Sequence, residues 1–281
     1  MKIPARLQSL IDEGLIDSVV RQLMSGKEAK VYVVRSGTET RCAKVYKESI
    51  HRSFRQAVDY TENRTVRNSR QARAMAKGTR FGREATEAAW QSAEVDALYR
   101  LAAAGVRVPR PFNFLDGVLL MELVTDEHGE AAPRLNDVLL EPDDARVMHR
   151  TLLRELTRML RAGVIHGDLS EFNILLAADG PVIIDLPQAV DAAGNNHAKR
   201  MLLRDVQNLK NFFGRFAPEL LDTDFGNEIW SLFEQGNLHP DVALTGKFLQ
   251  TNAPVDVESV IEQIDDAIAE EAARRLRMQM G

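Results

Sequence analysis

The stretch from His166 to Asp185 constrains this chain more than any other. It reads HGDLSEFNILL, then AADG, then PVIID. His166-Gly167-Asp168 opens a polar loop, an apolar run follows, Asp179-Gly180-Pro181 turns the chain, and Val182-Ile183-Ile184 delivers the carboxylate of Asp185 at a strand end. An acid at Asp168 with an amide, Asn173, five residues later is the spacing of a phosphotransferase catalytic loop. In such a loop the acid orients a hydroxyl nucleophile and the amide oxygen holds a metal ion on the nucleotide phosphates. A carboxylate at the position of Asp185 can grip Mg²⁺, a hard cation that takes oxygen ligands and keeps some of its waters. Asp and Asn are also common in ordinary loops, where their side chains satisfy turn backbone. The loop therefore gains its weight from the rest of the chain.

The 281 residues are 44% hydrophobic and 27% charged, with a formal net charge of -5. That balance fits a globular protein of one large or two small domains. The N-terminal MKIPARLQSLIDEGL has no apolar core of a signal peptide, and no run approaches a membrane-spanning length. We expect no membrane partner and a cytoplasmic location. The single cysteine, Cys42, excludes an intrachain disulfide, and its apolar strand context reads as core packing.

Leu7, Leu10, Ile11 and Leu15 have helical spacing, with Gly14 as a stop. Strands follow at 19–24, 31–34 and 41–46, joined by SGKEAK and by Ser36-Gly37-Thr38, so successive hairpins build an antiparallel sheet. The turn Ser25-Gly26-Lys27 can cradle anionic oxygens on its N–H groups. It is neither a Walker A loop, since Glu28 stands where Ser or Thr is needed, nor a three-glycine kinase loop, and a plain hairpin turn explains it equally well. Lys44 lies among Cys42, Ala43 and Val45. Its ammonium either snorkels to the surface or meets nucleotide phosphates and an acid on the next helix. That helix spans 90–101 and stops by Gly105. It places Glu94 on one face with Leu98 and Leu101, where an unpaired charge is costly and Lys44 is the natural partner.

Between the strand and this helix, positions 52–83 carry nine basic residues against two acids, a net of about +7. The stretch reads either as a solvated loop or as a docking surface for RNA or an acidic partner. Beyond it, 118–124 is a buried strand, 125–133 a hinge, and 142–161 a helix with Val147, Thr151, Leu152, Leu156, Met159 and Leu160 as its inner face. Helical pattern resumes with Met201, Leu202, Val206, Leu209, Phe212 and Phe213, then around Trp230. A last amphipathic helix carries Val257, Val260, Ile261, Ile264 and Ile268, packing on the same lobe or pairing with a second chain.

Phosphate turn, strand lysine, helix glutamate, HGD loop with its Asn, and strand-end Asp fall in one order, and phosphoryl transfer asks for these parts and little else. At SGKEAKVY, CAKVYK, WQSAEVDALYRLAAAGVRVP, VLLMELV, HGDLSEFNIL, IIDLPQAV and DVQNLKNFF the chain resembles the RIO family of atypical serine/threonine protein kinases, most closely the RIO1 branch, with DLPQ departing towards the RIO2 pattern. The resemblance implies an α+β, two-lobed kinase-like fold. An antiparallel sheet with one main helix forms the N-lobe (1–124, basic insertion about 48–85), and a mostly helical C-lobe (125–281) carries a short activation segment. It implies ATP and Mg²⁺, or Mn²⁺, as cofactors. Lys44 binds phosphates and pairs with Glu94; Ser25, Gly26 and Lys27 cover them; Met121, Glu122 and Val124 border the adenine. Asp168 is the catalytic acid/base, Asn173 and Asp185 are metal ligands, and Asp185 can carry a transient aspartyl-phosphate.

Asp185 is followed by Leu186-Pro187 rather than Phe-Gly, and no long activation segment or APE sequence follows. A peptide laid in a groove is therefore disfavoured. Autophosphorylation, an unidentified protein substrate, an ATPase switch, and RNA or ribonucleoprotein contact through the basic insertion are the expectations the family suggests. The competing class is a small-molecule phosphotransferase of the aminoglycoside or choline kinase kind. Such enzymes carry an acidic insertion in the helical lobe, whereas the insertion here is basic and lies in the other lobe.

Overall fold

The computed structural model describes residues 3–26, 29–47 and 93–248. The basic insertion, Lys27 and the expected helix at 257–268 lie outside the described residues. Alternation along the first three strands decides how the N-terminal half packs. Strands β1 (Ser18–Ser25), β2 (Ala29–Ser36), β3 (Glu39–Tyr46), β4 (Pro111–Leu115) and β5 (Val118–Glu122) form one antiparallel sheet in the order β1-β2-β3-β5-β4. Successive side chains point to opposite faces. Tyr32, Val34, Ala43, Val45, Val118 and Leu120 therefore form one buried face, covered by Leu7 and Leu10 of helix α1 (Ala5–Asp12) and by Ile16. Ala29, Tyr46 and Leu119 point the other way, against Val95, Leu98 and Leu101 of α2, whose described part is 93–103. The same alternation puts Cys42 and Lys44 on this second face. The β4–β5 turn uses Asp116 and Gly117, both at positive φ (50° and 69°), the geometry that lets a short hairpin follow the twist of its strands.

Helix α3 (Pro142–Arg161) has the expected limits. Pro142 starts it where a missing N–H is harmless, Asp143 and Asp144 meet the positive end of its dipole, and Gly163, at φ 72°, ends it in the left-handed region. Its inner face differs from the expected one. Leu152, Leu156, Met159 and Leu160 are buried, but so are Ala145, His149 and Leu153, while Val147 is 61% exposed and Thr151 only half-buried. At about 100° per residue Val147 lies nearly opposite Ala145; its apolar side chain sits on the solvent stripe. Helices α4 (Ala198–Phe213) and α5 (Phe225–Glu234) complete the C-terminal half. Asp224 caps α5 by accepting from the Asn227 N–H. All six apolar residues expected to face inward on α4 are buried. The paired strands β7 (Ile174–Ala177) and β8 (Gly180–Ile183), with β6 (Val164–Ile165) against β9 (Val190–Asp191), carry the loops of interest. The result is a two-lobed, kinase-like α+β fold. No helix among the described residues is long and apolar enough to cross a membrane.

Arg107 ties the two halves together. Its guanidinium donates to both oxygens of Glu122 (3.0 and 2.9 Å) at the end of β5, and to both oxygens of Asp179 (3.2 and 3.3 Å) in the β7–β8 turn. Its backbone N–H donates to Glu155 of α3 at 2.9 Å, and its carbonyl accepts from Ile183 at 3.0 Å. A planar fork is suited to gripping carboxylates two atoms at a time. Arg107→Ala is expected to lower unfolding stability by about 1–3 kcal/mol, and Arg107→Lys to recover less than half of that, because an ammonium cannot serve both carboxylates bidentately. Urea titrations of the three proteins check this; equal stability of the lysine variant and the parent would refute the geometric account.

Candidate active site

Lys44 projects from the middle of β3 towards α2. With its flanking strands paired on both sides, at Val31 and at Leu119, it is held on a rigid part of the sheet. Its ammonium lies 2.5 Å from Glu94 Oε1 and 3.0 Å from Asp185 Oδ1. Burial pulls the Lys44 pKa down, but the charges of Glu94 and Asp185 outweigh it and hold it well above the ordinary value. The second oxygen of Glu94 accepts from the Tyr46 hydroxyl at 2.8 Å. Burial pushes the Asp185 carboxyl up, and Lys44 pulls it down through charge and hydrogen bond. The net result is a carboxylate below its usual range. Asp185 also has φ 68°, a left-handed backbone rare for a residue with a side chain. Non-glycine residues keep such a conformation where surrounding structure enforces it, which is common at functional sites.

Lys44, Glu94 and Asp185 line a cleft of about 530 Å³ between the sheet and the C-terminal half. Its walls include Gly26 just after β1, Ala29, Val31 and Cys42 from the sheet, Met121, Glu122 and Val124 where β5 leaves it, and Asn173, Ile184 and Asp185 below. Of the expected site residues, Gly26, Lys44, Glu94, Met121, Glu122, Val124, Asn173 and Asp185 are brought together there. Ser25 is exposed between two lining residues, Met24 and Gly26. The turn is clasped by Lys47, whose ammonium donates to the Gly26 carbonyl at 2.5 Å. Cys42 is buried as expected, and burial pushes its thiol up to about 12, so it stays protonated.

Asp168 is exposed and does not itself line the cleft, but its loop is stitched to the residues that do. Asn173 Nδ2 donates to the Asp168 carbonyl at 2.8 Å, leaving the amide oxygen to point elsewhere. Ile184 N–H donates to the Asn173 carbonyl at 2.9 Å. His166 is fully buried, with Nε2 3.1 Å from the Ile184 carbonyl and Nδ1 3.3 Å from the Asp168 N–H. One nitrogen donates and the other accepts, which is what a neutral imidazole offers, and burial lowers its pKa accordingly. His166 thus spaces the loop from the Asp185 strand.

Sequence reasoning missed the support beneath this loop. Asp205 of α4, fully buried, accepts from the backbone N–H of Gly167 (2.8 Å) and of Leu169 (2.9 Å). Asn208, on the same side of the helix, donates to the Leu169 carbonyl at 2.9 Å, and Arg204 donates to the Gly167 carbonyl. The available signals were polar residues at 204, 205 and 208 beside an apolar helical face, and the place of Asp205 and Asn208 inside the quoted DVQNLKNFF.

A family model described as RIO domain matches residues 30–225. The RIO-type serine/threonine-protein kinase Rio1 of Haloferax volcanii is 36% identical over 215 residues, covering 75% of this chain and 68% of that protein. The serine/threonine-protein kinases rio1 of Schizosaccharomyces pombe and RIO1 of Homo sapiens are 30% and 31% identical over 217 residues each, covering 74% and 76% of this chain. The matched stretch spans only 41% and 36% of those two relatives.

Two outcomes follow from the contacts. Tyr46→Phe removes the donor to a buried Glu94 oxygen, and is expected to cost about 1–3 kcal/mol of stability, measured by thermal or urea unfolding. Burial raises the Asp205 carboxyl, and although the N–H groups of Leu169 and Gly167 pull it back, it stands at about 7 against an ordinary 3.8. An acid raised in the folded state favours folding below its unfolded pKa, and that contribution is lost as pH rises through the folded value. Melting temperature should therefore decline from this source between about pH 4 and pH 7, and Asp205→Asn should flatten that part of the curve. Parallel curves for the two proteins would contradict it.

Proposed function

This chain belongs to the RIO family of atypical serine/threonine kinases, on its RIO1-like side, and from that premise we propose that its cleft binds ATP and transfers the γ-phosphoryl group to a hydroxyl, on this chain or on another protein. The observation that carries the reading is the Lys44–Glu94–Asp185 arrangement in the same cleft as Asn173. Adenine sits between the apolar walls, with the Glu122 carbonyl and the Val124 N–H as its hydrogen-bonding groups. Lys44, oriented by Glu94, meets the α- and β-phosphates, and the Ser25-Gly26-Lys27 turn covers them. Asp168, on a loop held from below by α4, orients the attacking hydroxyl and accepts its proton. The donor set suits a hard divalent cation: Asp185 is held ionised and Asn173 offers an amide oxygen, with phosphate oxygens to complete the shell. Bound there, Mg²⁺ or Mn²⁺ supplies positive field to the phosphates.

Residues 186–197 make only a short passage from Asp185 to α4, and β9 within it pairs with β6. That favours autophosphorylation, or a nucleotide-driven switch with slow turnover, over a peptide laid along an extended activation loop. The basic insertion is the surface we assign to RNA or ribonucleoprotein contact, and the cytoplasm is the compartment that suits such work. Purified protein incubated with γ-labelled ATP and Mg²⁺ should become labelled. Asp168→Ala and Asp185→Asn should each cut the rate by about a hundredfold or more. Label that hydroxylamine removes would point to an aspartyl-phosphate on Asp185, and free phosphate with only transient label to the switch. Unchanged labelling of both variants would refute the assignment.

A further inference from the structure

We infer that Arg134 is an additional phosphate-binding residue of the nucleotide cleft, reaching from the floor towards the phosphates that Lys44 meets from the roof. The inference deepens the nucleotide reading above and rests on it. Arg134 follows the hinge segment, outside every motif quoted above. It lines the cleft. Its backbone is fixed from three sides. Arg134 makes an antiparallel bridge with Leu175 of β7, the preceding Pro133 carbonyl accepts from Leu176 at 2.9 Å, and Leu135 is fully buried in the core. The residue is therefore mounted on rigid structure.

Charge makes the case for a ligand. The described residues lining the cleft include four acids, Glu94, Glu122, Asp137 and Asp185, and two cations, Lys44 and Arg134. Lys44 is already shared between Glu94 and Asp185. Arg134 instead donates to the thioether of Met24, at 3.4 Å across the mouth of the cleft. A thioether is a weak acceptor, so a guanidinium loses little on leaving it. Phosphate oxygens offer the planar fork a bidentate, charged partner. Met24, which it reaches, stands two residues before Gly26 in the turn set over the phosphates, and Leu175, to which its backbone is bridged, stands two residues after Asn173.

Titration calorimetry separates the alternatives. Parent protein, Arg134→Ala and Arg134→Lys are titrated with ATP and ADP in the presence of Mg²⁺, and with adenosine. Arg134→Ala should weaken ATP and ADP about tenfold or more, the scale of one charged hydrogen-bonding pair, and leave adenosine within about twofold. Arg134→Lys should recover part of the loss. Unchanged ATP affinity in Arg134→Ala overturns the inference, and so does an equal loss for adenosine, which would place Arg134 on the nucleoside. A parent protein that binds adenosine and ATP equally weakly overturns the nucleotide reading itself, and the inference with it.

Discussion

The ammonium of Lys44 is the constraint around which the rest is arranged. It is 13% exposed, on a strand whose neighbours are apolar, and a charge in that position must be met by opposite charge. It is met by Glu94 and by Asp185, which lie 50 and 141 residues away in sequence. One contact sets α2 against the sheet, and the other sets the β8 end of the C-terminal half against the same sheet. Tyr46 holds the far oxygen of Glu94, and Arg107 joins the end of β5 to the β7–β8 turn behind the cleft. The cleft is thus bounded on several sides by charges that need each other, and its width follows from their distances.

Beneath the HGD loop the logic is different. α4 buries an apolar stripe in the core and, from the adjoining edge of the same helix, offers Arg204, Asp205 and Asn208 to the loop backbone. A loop cannot pair its own N–H and C=O groups in a ladder, and buried ones must find partners elsewhere. Gly167 and Leu169 find theirs on α4. The helix that supplies core volume therefore also fixes where Asp168 stands.

These two devices were unequally legible in the sequence. Lys44 and Glu94 could be paired in advance because each was an isolated charge on an apolar face, and the cost of burial forces such charges together. The limits of α3 were legible because Pro142 and Gly163 mark helix ends by backbone conformation alone. Asp205 was not, since one acid in an amphipathic helix looks like any solvated residue until its distant partners, 36 and 38 positions away, are known. Val147 erred in the opposite sense: apolar identity suggested burial, and only its angle on the helix reveals exposure. Periodicity tells which face is inward, and says little about which neighbour that face meets. Arg134 escaped for the same reason, as a lone cation just after the hinge segment.

The charge balance of the cleft bears on how a nucleotide would enter it. Lys44 and Asp185 already satisfy one another at 3.0 Å. A triphosphate and its cation would not arrive at unpaired groups: Lys44 would be the group to hold phosphate and Asp185 the group to hold the cation, each giving up part of the other. Such an exchange would return only the difference between two sets of ion pairs, which would keep affinity moderate even though many charges are involved. It would also couple the two halves to the ligand, because the Lys44–Asp185 contact joins the sheet to the Asp185 strand. A nucleotide state can then be read out as a change in how firmly those elements are held together. A catalytic site and a switch require the same charges in the same places, and what separates them is how long the exchanged state lasts.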